Sequence, residues 1–231
     1  MSPPPQSPQA DPRPPRALPV WLFVPNLLCY ARVLGVAVAF FALIPGRLGA
    51  FLVAYGLLSL LDMADGYLAR RLGQTSNLGV VLDLIADNVS RTLCWASVLT
   101  TGSAGSVACT AAVLIPCLEW VTALATQVIS FAARSGHWKS AVKDPGMPRL
   151  LQAIFSNGFY NPVGAWVVLS LFGLPAVIGL RSTPQFAAHP VSPVLDVLLV
   201  LLAIGRALGA AAEVVLVQRT AQWLVALDKT D

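Results

Sequence analysis

Six apolar runs, each long enough to cross a bilayer and parted by short polar breaks, constrain this chain more than any other feature. They fall at about 26–45, 48–70, 79–101, 104–133, 150–180 and 193–218. A hydrocarbon core of about 30 Å takes roughly 20 mostly apolar helical residues. Inside lipid the backbone must satisfy its own N–H and C=O groups, which leaves helices as the spanning element for such runs. The expected fold class is therefore an all-α membrane protein of six transmembrane helices, with an amphipathic N-terminal lead-in at Trp21, Leu22, Phe23 and Val24. Charged residues make up only 11% of the chain and hydrophobic ones 56%, whereas soluble domains carry about a quarter charged residues.

The breaks carry turn chemistry: Pro45-Gly46, Gly73, Thr101-Gly102-Ser103, the stretch 135–148 and the run 181–193. Asn161-Pro162 is expected to kink the long fifth segment. Residues 1–19 hold eight prolines and read as an extended or disordered arm, leaving 20–231 as one membrane domain. No apolar stretch with a small-residue cleavage site precedes residue 19, so the arm is expected to stay attached. Cys29, Cys94, Cys109 and Cys117 show no CxxC pairing and read as small buried apolar residues. The sequon Asn88-Val89-Ser90 lies inside an apolar run, which argues against glycosylation.

The net charge of +4 is spread over loops, which excludes a nucleic-acid-binding stripe and favours contact with anionic membrane lipid. With both termini on one side, that side collects Arg13, Arg16, Arg32, Arg70, Arg71, Arg134, Lys139, Lys143, Arg149, Arg219 and Lys229. The other side receives Arg47 and Arg181. The positive-inside rule then puts both termini in the cytosol, together with the polar ends of the second and third segments.

Those two segments carry Asp62, Asp65, Asp83 and Asp87. On a helix, Asp62, Asp65, Gly66, Ala69 and Arg70 share an arc of about 140°. Asp83 and Asp87 lie one turn apart on the next segment, with Gly79 one turn before them. A short reversal between the helices brings the four carboxylates together. Each unpaired aspartate at mid-membrane costs on the order of 3 kcal/mol on insertion scales, so four together are expensive unless something compensates, as divalent cations would. Mg2+ or Mn2+, as two ions, suits hard oxygen ligands and phosphoryl displacement. Gly66, Ala69 and Gly79 leave room for a nucleotide or pyrophosphate to approach, and Arg70 offers a fork to phosphate. Two other readings are open at this point: purely structural pairing with Arg70, Arg71 and Arg91, or cation transport, though a transporter has no need of the Asp-Gly…Ala-Arg element.

Residues 62–87 resemble the CDP-alcohol phosphotransferase signature D-x2-D-G-x2-A-R-x8-G-x3-D-x3-D at every fixed position. The resemblance implies six transmembrane helices, a homodimer and a site opening to the cytosolic leaflet. It implies Asp62, Asp65, Asp83 and Asp87 as metal ligands, with Asp87 also the general base, and Gly66, Ala69, Arg70 and Gly79 as contacts of the CDP donor. In such an enzyme Asp87 takes the proton of an acceptor hydroxyl that attacks the β-phosphorus, and CMP leaves.

Within the family, the run from Leu22 to Val33 looks most like the first-span entry of eukaryotic phosphatidylinositol synthases, which implies CDP-diacylglycerol as donor, myo-inositol as acceptor and the endoplasmic reticulum as compartment. Pro25-Asn26 also reads as a helix start and Arg32 as an interfacial anchor. The acceptor half departs from that pattern: Asn88 stands where those enzymes carry arginine, and Glu119-Trp120 where they carry an aspartate followed by histidine and tryptophan. A glycerol-type polyol, choline or ethanolamine phosphotransferase chemistry, and a non-catalytic CDP-lipid-binding role are the alternatives. Glu119, Lys139, Lys143, Arg149, Asn157 and Asn161 are candidate acceptor or headgroup contacts. Gly205 and Gly209 form a GxxxG that suits a dimer seam or packing within one subunit.

Overall fold

The computed structural model describes residues 18–43, 46–132, 148–187 and 189–228, and every regular element among them is helical. A 3-10 turn at Val20–Leu22 leads into α1 (Val24–Leu43), followed by α2 (Leu48–Arg71), α3 (Asn77–Leu99) and α4 (Ser106–Ala132). Then come a short α5 (Arg149–Phe155), a 3-10 turn at Ser156–Phe159, α6 (Pro162–Arg181), the single turn α7 (Pro184–Ala187) and the long α8 (Ser192–Leu227). Of the proline-rich arm only Leu18 and Pro19 fall within the described residues, and Lys139 and Lys143 lie outside them.

Among the described residues, five helices are long and apolar enough to cross a membrane: α1, α2, α4, α6 and α8. The 23-residue α3 matches them in length but carries Asp83, Asp87 and Arg91. It packs against α1, α4 and α6, so those charges turn into the bundle instead of toward lipid. The pattern is that of a membrane protein, with large apolar side chains outside. Phe41, Val107 and Leu169 are 76%, 82% and 66% exposed, while Asn26, Arg32, Asn88 and Arg91 are buried. The inside also holds three apolar clusters. One joins Val36, Phe51, Tyr55 and Cys94, the next Trp95, Val98, Ala112 and Leu174, and the third Leu151, Ile154, Val167, Ala212 and Leu216. All four cysteines are free thiols, and Cys29 and Cys94 are buried as small apolar residues are.

The fifth segment is not one kinked helix. It is broken into α5 and α6 by residues Asn157–Phe159, whose φ values of 50°, 65° and 73° lie in the left-handed region and cannot continue a helix. Asn161 then caps α6: its Oδ1 accepts from Gly164 N at 2.8 Å, and Pro162 at the first helical turn gives up no N–H that the helix would use. The last helix also runs past the expected end near 218 to Leu227. Its apolarity fades there, but Leu216 and Thr220 are still buried against the bundle.

α6 and α8 make the broadest helix pair, and the GxxxG lies inside it. A Cβ on Gly205 would stand 2.9 Å from Ser170 Cβ and 3.0 Å from Trp166 Nε1, and one on Gly209 3.3 Å from Val167 Cγ1. The motif thus serves packing within the chain. Trp166 Nε1 donates to Leu201 O across the same seam at 3.1 Å. Gly205→Val should separate the two helices at an overpacking cost of about 1–3 kcal/mol. Thermal unfolding of the purified protein in detergent, followed by tryptophan fluorescence, should show a lower midpoint; an unchanged midpoint would rule out this close approach.

Candidate active site

The site is assembled by three neighbouring helices. α2 contributes Asp62 and Asp65 near its C-terminal end, where Arg70 and Arg71 follow in the last turn. A short connection leads to Ser76, whose side chain accepts from Gly79 N at 2.9 Å and starts α3. Asp83 and Asp87 then follow on consecutive turns. Gly79 lets α1 come close: a Cβ there would stand 2.9 Å from Asn26 Oδ1 and 3.1 Å from Ser76 Oγ. Asn26 is itself held by its Nδ2, which donates to Val20 O at 2.6 Å.

The four carboxylates converge on one guanidinium. Arg32 Nη1 donates to Asp62 Oδ1 at 3.1 Å, Asp65 Oδ2 at 2.9 Å and Asp83 Oδ1 at 3.1 Å. Arg32 Nη2 donates to Asp87 Oδ1 at 2.5 Å. Arg32 is fully buried, with no hydrogen-bond partner for its Nε. Its expected role as an interfacial anchor is therefore replaced by one at the centre of the aspartate cluster. A sign of this was present in the sequence, since Asn26, Cys29 and Arg32 recur at i, i+3 and i+6 and share one buried face of α1 with Val36.

Arg32 and, at Asp87, an Arg91 shared with Glu119 face the four carboxylates, which leaves a negative excess in a low-dielectric setting. The side chains of Asp62 and Asp83 are 38% and 47% exposed, against 5% for Asp65, so the cluster opens on the side of the first two. Asp62, Asp83 and Asp87 present oxygens all within 4.8 Å of one another, and Cys29 Sγ, Asp65 and Asp83 form a second such group. Cys29 Sγ donates to Asp65 Oδ2 at 3.6 Å. The hard oxygen donors, their mutual distances and the unbalanced charge all fit divalent cations. On the same open face, a Cβ at Gly66 would meet only the Arg70 guanidinium, 3.7 Å away, so the backbone there is accessible. Ala69 is partly buried and Arg70 exposed. Among the described residues, no ion pair joins Arg70 or Arg71 to the aspartates. Arg71 instead donates to Tyr67 Oη at 2.9 Å.

Behind Asp87 a second set of charges crosses the bundle. Arg91 Nη1 stands 3.6 Å from Asp87 Oδ2. Its Nε donates to Glu119 Oε2 at 2.8 Å, and its Nη2 donates to Asn88 Oδ1 at 2.8 Å. Glu119 Oε1 lies 3.2 Å from Arg206 Nη2, which donates to Glu213 Oε2 at 2.9 Å. Glu119 is thus buried between two arginines. Of the other acceptor candidates among the described residues, Arg149, Asn157 and Asn161 form no bond to this set. Arg149 is exposed at the start of α5, and Asn157 is exposed with its Nδ2 donating to Tyr160 O at 3.2 Å. Asn161 is engaged in capping, with its Nδ2 donating to Ile154 O and Ser156 O at 3.1 and 2.8 Å.

The family model of CDP-alcohol phosphatidyltransferases matches residues 22–170, which take in Arg32, the four aspartates, Arg91 and Glu119. The chain is also similar to a CDP-diacylglycerol--inositol 3-phosphatidyltransferase of Arabidopsis thaliana, at 41% identity over 76 residues, 33% of either chain. The enzyme of that name from Saccharomyces cerevisiae is 40% identical over 68 residues, 29% of this chain and 30% of the relative. The one from Homo sapiens is 39% identical over 77 residues, 32% of this chain and 34% of the relative. The matched stretch therefore spans about a third of each of these relatives. No solved structure matches the chain. The family match covers well over half of the sequence, and the aspartates it contains meet at one point of an all-helical membrane fold; the chain belongs to the CDP-alcohol phosphatidyltransferase family.

Proposed function

We propose that this protein transfers a phosphatidyl group from CDP-diacylglycerol to a hydroxyl acceptor, with myo-inositol as the leading acceptor, and releases CMP. The observation that carries the reading is the convergence of Asp62, Asp65, Asp83 and Asp87 on one point between α1, α2 and α3. The names of the matched relatives support the choice of donor and acceptor. The same reading puts the protein in the endoplasmic reticulum membrane as a homodimer, with both termini and the site cytosolic; family resemblance and the asymmetry of basic residues support it.

In this mechanism Asp62, Asp65, Asp83 and Asp87 would hold Mg2+ or Mn2+, with Asp87 shared between ligation and proton transfer. When bound, the ions neutralise pyrophosphate charge and polarise the phosphoryl oxygens. Gly66 and Ala69 give the CDP moiety its approach, and Arg70 binds a phosphate oxygen through its fork, while the expected donor contact Gly79 instead admits Asn26 of α1. Asp87 orients the acceptor hydroxyl and takes its proton. The acceptor oxygen bonds to the phosphorus of the phosphatidyl group, the bond from that phosphorus to the CMP oxygen breaks, and the electron pair leaves with CMP.

Asp87→Asn should reduce CMP release by about 10^2- to 10^4-fold, the usual contribution of a general base, while CDP-diacylglycerol binding stays within a few-fold of wild type. Turnover near the wild-type rate would remove Asp87 from this role. Chelation should abolish transfer, and either Mg2+ or Mn2+ should restore it. Mass analysis of the lipid formed from a mixture of polyols would name the acceptor, and a product other than phosphatidylinositol would overturn inositol as the leading choice.

Arg32→Gln is expected to lower the melting midpoint in chelator, since removing one partner from a buried ionic cluster costs about 3–5 kcal/mol. Added Mg2+ or Mn2+ should raise the midpoint of Arg32→Gln more than that of wild type. Equal responses would mean that the guanidinium and the cations do not act on the same carboxylates.

A further inference from the structure

Asp87 lies between two guanidiniums that differ in kind. Arg32 Nη2 approaches Oδ1 at hydrogen-bond distance, 2.5 Å. Arg91 Nη1 stands 3.6 Å from Oδ2, close enough to act by charge but too far to occupy that oxygen with a hydrogen bond. Oδ2 is therefore oriented without being consumed. Arg91 itself has little freedom. Its Nε and Nη2 are taken by Glu119 and Asn88, and its guanidinium lies over the Phe172 ring at 5.0 Å from the centroid. Contacts from α3, α4 and α6 thus hold one planar group.

Glu119 is held in turn. Arg206 lies 3.2 Å from its second oxygen, and Trp120 Nε1 donates to Thr92 Oγ1 at 3.1 Å, tying α4 to α3 beside the ion pair. Arg206 is buried, and Glu213 binds it on α8. The sequence Asp87, Arg91, Glu119, Arg206, Glu213 alternates in sign from α3 through α4 to α8. Only its first member belongs to the aspartate motif.

Building on the reading of Asp87 as the base, we propose that Arg91 is the positioning residue of this enzyme's acceptor side. Glu119 fixes the Arg91 guanidinium, and Arg91 turns Asp87 Oδ2 toward the incoming hydroxyl. Arg206 balances the charge of Glu119, Glu213 balances that of Arg206, and neither acts on the reaction. Asn88 belongs to the same device: its amide oxygen receives Arg91 Nη2, and the cation is carried one turn further along α3, at position 91.

The test compares two double variants: Arg91→Gln/Glu119→Gln deletes the Arg91–Glu119 pair together with its links to Asp87 and Arg206, whereas Arg206→Gln/Glu213→Gln deletes the Arg206–Glu213 pair and its link to Glu119 but leaves Asp87–Arg91–Glu119 whole. Arg91→Gln/Glu119→Gln should keep the KM for CDP-diacylglycerol within about twofold and lower kcat about 10- to 100-fold, the usual loss when a supporting partner of a reacting group is removed. Arg206→Gln/Glu213→Gln should keep kcat within about threefold of wild type. The two should lose similar thermal stability, measured in the same detergent. A purely structural network instead predicts equal effects of both doubles on kcat, and that result, or a kcat near wild type for Arg91→Gln/Glu119→Gln, would overturn the proposal. If that double cannot be purified folded, Arg91→Lys serves: it keeps the charge but not the fork, so kcat should fall, and an unchanged kcat would again overturn it. Absence of CMP release by the wild-type protein would instead remove the functional reading, and the positioning role with it.

Discussion

Four carboxylates gathered at membrane depth repel one another and resist leaving water, and the rest of the structure answers that constraint. Desolvating charge is tolerable only where opposite charge and hydrogen bonds are supplied at close range. Arg32 supplies both from a third helix, reaching all four aspartates through two terminal nitrogens. α1 must therefore pack closely against α2 and α3, and this explains why Gly79 faces Asn26 without room for a side chain. The negative charge left over is what makes the cluster suited to divalent cations.

Compensation continues beyond the motif. Asp87 is shared by the Arg32 cluster and by the chain of alternating charges through Arg91, Glu119, Arg206 and Glu213. This chain reaches α8, so the helices that bear the aspartates are tied to the far side of the bundle by ions as well as by apolar contact. Tight α6–α8 packing at Gly205 and Gly209 keeps α8 near enough for Arg206 to meet Glu119. The four aspartates lie on one pair of adjacent helices, whereas the groups that hold Arg91 beside Asp87 come from α3, α4 and α6.

The aspartate motif could be read in the sequence because its parts lie within 26 residues and two helical periods align them. Five long apolar helices were legible for a similar reason, since lipid leaves apolar runs one way to satisfy their backbones, whereas the sixth expected span, α3, is as long but carries the charges of the site. The break at Asn157–Phe159 was less so, because Asn-Pro permits either a kink or a stop and only local backbone geometry chooses. Glu119 stood out as a charge in an apolar run, but its partners sit 28 and 87 residues away in the chain. No helical period connects such distances.

Sequence alone determined the all-helical membrane fold and the set of aspartates that meet within it, because hydropathy and helical spacing are local properties. Tertiary structure decided that Arg32 enters the aspartate cluster, that the GxxxG is used against α6, and that Glu119 is enclosed by Arg91 and Arg206. Each depends on which helix lies beside which. Burial and ion pairing between distant segments are set by that arrangement, and the same side chains in another order of helices would have faced lipid or water.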